Sequence, residues 1–161
     1  MGMDVYGQNP KINKDVSDYP TYSKHREDYF DMYDKVKQKV KDKYHKELMQ
    51  YEEANPGIYF RNNVWWWRPL WDFCYNVSDQ IDKDLWNSGH CNDGAGLDDK
   101  QSRLLARDLI VALGHGKEAE FSREMEHNLN NHNGGFKYYF DRDNVERFIK
   151  FLLECGGFRI N

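Results

Sequence analysis

Long apolar runs are missing from this chain: none of its 161 residues sits in anything close to the roughly 18 consecutive apolar positions that a membrane-spanning helix requires. Cysteine is scarce too. Cys74, Cys91 and Cys155 are widely spaced and form no CxxC pair, which argues against a zinc or dithiol motif and for a reducing compartment. Positive charge is not in excess, with 23 Lys and Arg against 27 Asp and Glu, so a duplex nucleic acid or an anionic membrane is not the expected partner. The opening MGMDVYGQNP lacks the charged start and apolar stretch of a secretory leader, and a cytoplasmic location is expected. No phosphate-binding glycine loop, dinucleotide fingerprint or calcium loop occurs. No catalytic residue, cofactor or metal is therefore assigned.

What the chain does have is aromatic rings, 16% of its residues, in a length sufficient for one domain. Residues 1–20, with Gly7, Pro10 and Pro20, read as an extended N-terminal arm anchored by Val5 and Tyr6. From 21 to 54, Tyr29, Tyr33, Val36, Val40, Tyr44, Leu48 and Tyr51 recur every three or four positions, predicting a long amphipathic helix. The NPG at 55–57 stops it. Its narrow, tyrosine-rich stripe suits packing on its own domain or a homodimer contact.

Further helices are predicted at about 66–83, with Pro69 in its first turn, and from Asp98, whose capping box with Gln101 starts a helix ended by Gly114. Two more are expected at 116–130, carrying Phe121, Met125 and Leu129, and from Asp143, paired with Glu146 as a second capping box and stopped by Gly156-Gly157. FKYYF at 136–140 and the terminal FRIN are β-capable and could pair as a ribbon. The expected fold is mainly α: a single helical domain over 21–161 with a long N-terminal amphipathic helix and a minor β ribbon.

The segment YFRNNVWWWRPLWDFCYN, residues 59–76, holds the strongest functional signal. Consecutive residues of a helix point about 100° apart, so one interior cannot enclose Trp65, Trp66 and Trp67 together. Arg61 and Arg68 offer guanidinium clamps for phosphate or carboxylate, Asn62 and Asn63 offer amides, and the indoles offer flat faces for stacking. The competing reading is a Trp-rich core whose arginines cap or stack internally.

The glycine-rich SGHCNDGAGLDD loop precedes a helix N-terminus and contributes Asn92 as a further candidate contact, although Asp93, Asp98 and Asp99 oppose an anion there. His90 and Cys91 are neighbours, and a hydrolase would need a remote acid to complete them. His115, His127 and His132 sit near helix ends, where they read as solvated or dipole partners.

Taken together, MDVYGQNP, GIYFRNNVWWWRPLWDFC, NDGAGL and DNVERFIKFLLECGGFRI resemble a family of small proteins found in phages, prophages and bacteria. The similarity covers the first ten residues and most of the chain from 57 onward, with 21–54 standing as an insertion. It implies a phage-related setting, the host cytoplasm if the chain is phage-encoded, in which interference with host defence is a natural role. The leading expectation is a non-enzymatic protein that captures a small nucleotide-like or anionic aromatic ligand. The alternatives are an inhibitor that blocks a host enzyme through its Trp/Arg surface, and a hydrolase.

Overall fold

The computed structural model describes residues 2–128 and 137–161. In chain order these form β1 (Gly2–Gly7), α1 (Pro20–His25), α2 (Tyr29–Tyr33), α3 (Gln38–Ala54), β2 (Tyr59–Asn63), α4 (Val64–Val77), α5 (Lys83–Ser88), α6 (Asp99–Gly114), α7 (Lys117–Asn128), α8 (Arg142–Glu154) and β3 (Phe158–Ile160), with a 3-10 turn at Val16–Asp18. The fold is thus mainly α with a small antiparallel sheet. Among the described residues no helix is long and apolar enough to cross a membrane.

The sheet runs in the order β2-β1-β3, so the N-terminal segment is its central strand. Val5 lies opposite Phe60 on one side and Ile160 on the other. Alternation sends Met3, Val5, Phe60, Asn62, Phe158 and Ile160 inward. Asp4, Tyr6, Arg61 and Arg159 stay on the outer, more exposed face. Across that outer face the Tyr6 and Tyr59 rings meet at 5.0 Å, and the Tyr59 hydroxyl donates to the Asp4 carboxylate. Burial, reinforced by that bond, pushes the Tyr59 phenol well above its ordinary range.

The ribbon expected from FKYYF and FRIN is corrected. FRIN supplies β3, but 137–140 form no strand, and Phe136 lies outside the described residues. A consequence of Pro69 explains where this segment goes. Proline at the sixth position of α4 has no N–H to give the Trp65 carbonyl one turn earlier. That carbonyl accepts from the Tyr139 backbone N–H at 3.1 Å instead. Tyr138 and Tyr139 are thereby laid along the indoles, and Phe140 is carried into contact with Phe73 and Phe121.

The predicted helix over 21–54 is three helices folded back on one another. No glycine or proline marks the breaks, so ring packing overrides local propensity. Tyr29 stacks on Tyr44 at 4.5 Å, and Tyr22 meets both Tyr44 and Tyr51. Glu47, on α3, accepts the Thr21 and Tyr22 backbone N–H groups at 2.6 and 2.9 Å. Desolvation works against its charge, but these two bonds, a bond from the Thr21 side chain and the Lys43 charge at 3.6 Å together hold the carboxyl below its usual range.

Boundaries elsewhere shift for local reasons. The predicted 66–83 helix begins at Val64, because Asn63 caps it by accepting from the Trp65 and Trp66 N–H groups at 3.0 and 3.2 Å. It ends at Val77, and α5 follows with its own cap at Asp82. The α6 capping box is present as expected. For α8 the cap is Asp141 rather than Asp143, and Glu146 pairs with Arg142 instead of reaching back. The expected helix over 116–130 is seen as Lys117–Asn128; Leu129 and His132 lie outside the described residues.

Around the inward face of the sheet, α4, α6 and α8 enclose a single core that includes Trp67, Trp71, Phe73, Leu105, Leu109, Phe148 and Leu152. Gly156 and Gly157, at φ of 61° and 89°, turn the chain from α8 into β3 through backbone that side chains rarely adopt.

Candidate functional site

At one edge of the sheet, where β2 runs into α4, the N-terminal ends of α4 and α8 come together and leave a cleft of about 530 Å³. β2 and the start of α4 contribute Arg61, Asn62, Asn63 and Trp66; α8 and its cap contribute Asp141, Asp143, Asn144 and Arg147; Gly2 closes one end.

Of the residues singled out by sequence, Arg61, Asn62, Asn63 and Trp66 are brought together here. Asn92 stands just behind, its Nδ2 donating to the Gly2 carbonyl at 3.2 Å. Three others go elsewhere. Trp67 is wholly enclosed, its Nε1 donating to the Gly89 carbonyl at 2.7 Å and its ring stacked on Trp71. Trp65 is half-buried with its edge toward Tyr138. Arg68 turns to the other flank of α4 and donates to the Tyr138 hydroxyl at 3.2 Å. The divergence of the three indoles holds, but Tyr138 and Tyr139 cover much of what the core leaves out. Trp66 lies parallel to Tyr139 at 5.3 Å and still borders the cleft.

The decisive feature is polar and buried. Asn62 sits on the inward face of the sheet at 7% exposure and Asn144 in the first turn of α8 at 3%. The Nδ2 of Asn62, and both the Nδ2 and Oδ1 of Asn144, have no hydrogen-bond partner in the protein. An amide left so costs about 1 to 3 kcal/mol, and native interiors rarely tolerate one, let alone two beside the same cleft. Asn144 occupies a position that the α8 apolar spacing, with Phe148 and Phe151 following, would give to a hydrophobic residue. That misplaced amide was the sequence signal for α8; Arg147, Asp141 and Asp143 carried none, since charged residues on an exposed helix face read as solvation.

Charge in the cleft is balanced. The Arg61 Nε lies 3.5 Å from the Asp4 carboxylate, and the Arg147 guanidinium sits 5.3 Å from the centre of the Phe60 ring. Asp141 already accepts from the Asn144 backbone N–H at 2.8 Å, whereas Asp143 has no such bond. The lining thus holds two guanidiniums and two carboxylates, with Asp4 adding a third carboxylate beside Arg61.

The chain matches no protein-family model, no curated protein and no solved structure. The site must be read from its own chemistry.

Neither of the other sequence candidates assembles a comparable site. In the glycine-rich loop, Gly96 packs against β3: a Cβ there would stand 1.8 Å from the Phe158 carbonyl oxygen. The Ala95 and Leu97 carbonyls accept from the Ile160 and Phe158 backbone N–H groups. The glycine serves the sheet. His90 does find a remote acid, its Nε2 lying 3.3 Å from Asp72, whose same oxygen accepts the Trp86 Nε1–H at 2.7 Å. Its Nδ1 is enclosed without a partner, so the ring turns no free nitrogen outward to take a proton from a substrate. Burial pushes the Cys74 and Cys155 thiols up, which keeps them unreactive; Cys91 is exposed. Among the described residues no cluster of His, Cys, Asp and Glu could hold a metal ion.

The orphaned amide gives a stability prediction. Asn144→Leu removes the unpaired group and is nearly isosteric, its two methyls taking the places of Oδ1 and Nδ2, so the variant should gain about 1 kcal/mol in urea denaturation, beyond the few tenths due to helix propensity. A loss of stability instead would identify the amide as a structural strut.

Proposed function

We propose that this chain is a non-enzymatic binding protein that captures a small nucleotide-like or other anionic aromatic ligand in the cleft between β2, α4 and α8. The observation that carries this reading is the cleft that brings two guanidiniums, Arg61 and Arg147, together with the Trp66 indole and the side chain of Asn63. Amides read ring edges, guanidiniums take phosphate or carboxylate, and an indole stacks on a flat ring. The resemblance to small phage and bacterial proteins supports a cytoplasmic role in counter-defence, in which a host signalling nucleotide is sequestered.

Two other readings have less support. An inhibitory surface for a host enzyme loses contact area because Tyr138 and Tyr139 lie against Trp65 and Trp66. Self-association through the 21–54 segment now rests on exposed Phe30 and Met49, since its tyrosines meet one another.

A panel of mononucleotides, cyclic nucleotides and NAD-derived species, followed by thermal shift and Trp fluorescence, tests the proposal. A true ligand at a hundredfold excess over its Kd should stabilise the fold by about 2.7 kcal/mol. Arg147→Ala should weaken it at least tenfold while leaving the unliganded melt close to wild type, as expected for an exposed side chain. No response in either signal across the whole panel removes the reading.

A further inference from the structure

Between α4, α5 and α7 lies a second cleft, of about 300 Å³, that shares no lining residue with the one between β2, α4 and α8. We infer that it binds a small alkylammonium ion, held against aromatic faces and between two carboxylates.

The walls follow from helical spacing. Asp72 and Tyr75 are three residues apart on α4, as Phe121 and Glu124 are on α7, so each helix turns one carboxylate and one ring to the same side. α5 adds Trp86. Its indole and the Tyr75 ring meet at 5.5 Å and 32°, forming one aromatic surface, and Phe121, whose ring packs on Phe73 and Phe140, supplies another. These groups can be reached from solution. Tyr75 is 38% exposed, the Asp72 side chain 31%, Glu124 is exposed, and Trp86 and Phe121 are half-buried.

Charge decides what such a box takes. Among the described residues that line it there are two carboxylates and no Lys, Arg or His. Glu124 has no ion-pair or hydrogen-bond partner among the described residues. Asp72 is held in place, its Oδ1 accepting the Trp86 Nε1–H at 2.7 Å and lying 3.3 Å from the His90 Nε2; His90 and Arg68 themselves line an adjoining cleft that shares Asp72 and Trp86. Ring faces carry negative potential, and the recognition of alkylated ammonium groups by aromatic walls exploits it. The methyl groups of such an ion need no hydrogen-bond acceptor, so the carboxylates can act through charge alone. A metal ion fits less well, because rings offer it no ligand and no cluster of three His, Cys, Asp or Glu side chains forms among the described residues. A guanidinium seeks a carboxylate with both oxygens free for a fork, and at Asp72 the indole already occupies one of them.

Titration of the full chain at constant ionic strength decides the matter, with tetramethylammonium, choline, methylguanidinium and neohexyl alcohol, the uncharged isostere of choline, as probes. Both ammonium ions should shift the Trp86 indole N–H resonance saturably; that resonance is assigned from the Trp86→Phe spectrum or, should the variant not fold, from the backbone assignment. Choline should bind about tenfold more tightly than neohexyl alcohol. Glu124→Gln and Tyr75→Leu should each weaken choline about threefold with little change in melting temperature, since both side chains are exposed. Neohexyl alcohol binding as tightly as choline would show an apolar cleft that does not read charge, and methylguanidinium binding as tightly would replace the alkylammonium assignment with a flat cation. No saturable shift with either ammonium ion removes the site. None of these outcomes bears on nucleotide capture in the other cleft.

Discussion

Deleting residues 1–7 should abolish cooperative folding, although the deletion removes less than a twentieth of the chain. Among the described residues β1 is the only strand that touches both others, so without it β2 and β3 are left with no partner in the sheet. Met3 and Val5 are almost wholly buried, and each such side chain contributes about 1.5 to 3 kcal/mol on leaving water. The strand also fastens the end of the chain: Asp4 exchanges backbone hydrogen bonds with Asn161, and the Gly7 N–H donates to the Ile58 carbonyl. Against a total stability of about 5 to 15 kcal/mol for a domain, these losses together leave little margin. Urea denaturation followed by circular dichroism should show a broad, featureless loss of signal in the truncated chain, and a peptide of residues 1–9 added in trans should restore part of the transition. A truncated chain that still unfolds sharply, at a urea concentration close to that of the full one, would show that the sheet is dispensable.

The same strand shows why part of this fold was legible in the sequence and part was not. Helix α6 announces itself locally, through the Asp98–Gln101 capping box at one end and Gly114 at the other, and α8 through its repeating apolar positions. β1 has no such local signature. MDVYG is short, sits among glycine and polar residues, and becomes a strand only because segments beginning at Tyr59 and Phe158 close on either side of it. The breaks between α1, α2 and α3 were hidden for a similar reason. They contain no breaker, and what bends the chain is the meeting of Tyr22 and Tyr29 with Tyr44 and Tyr51. In the site, the half carried by β2 and α4 stood out because arginines and asparagines beside three tryptophans are an odd composition for a core. The half carried by α8 lies more than 75 residues farther along, and only pairing across space gives Asn144 a meaning.

The neighbouring indoles Trp66 and Trp67 should respond very differently to truncation, and the contrast tests how the chain divides them between core and cleft. Trp67 is fully enclosed, stacked on Trp71 at 5.4 Å and set edge-on to Phe148 at 5.8 Å. Trp67→Ala leaves a large void, a loss of about 3 to 5 kcal/mol for a buried aromatic of this kind. It also strips the buried Gly89 carbonyl of its indole donor, adding about 1 to 3 kcal/mol. The sum approaches the stability of the whole domain, so the variant should be unfolded or molten at 25 °C. Trp67→Phe keeps a ring against Trp71 but not the N–H, and should fall between the two. Trp66 is only half-buried, and Trp66→Ala forfeits chiefly its stack on Tyr139, a pair of a kind that adds about 0.5 to 1.5 kcal/mol beyond area burial. That variant should remain folded and, if the cleft is the ligand site as proposed, lose ligand capture. Neighbouring side chains of one type would thus have opposite duties, because a turn of about 100° sends one ring into the core and the other to the cleft wall. Equal destabilisation by Trp66→Ala and Trp67→Ala in urea would contradict this division, since it would mean that both rings support the core to the same extent.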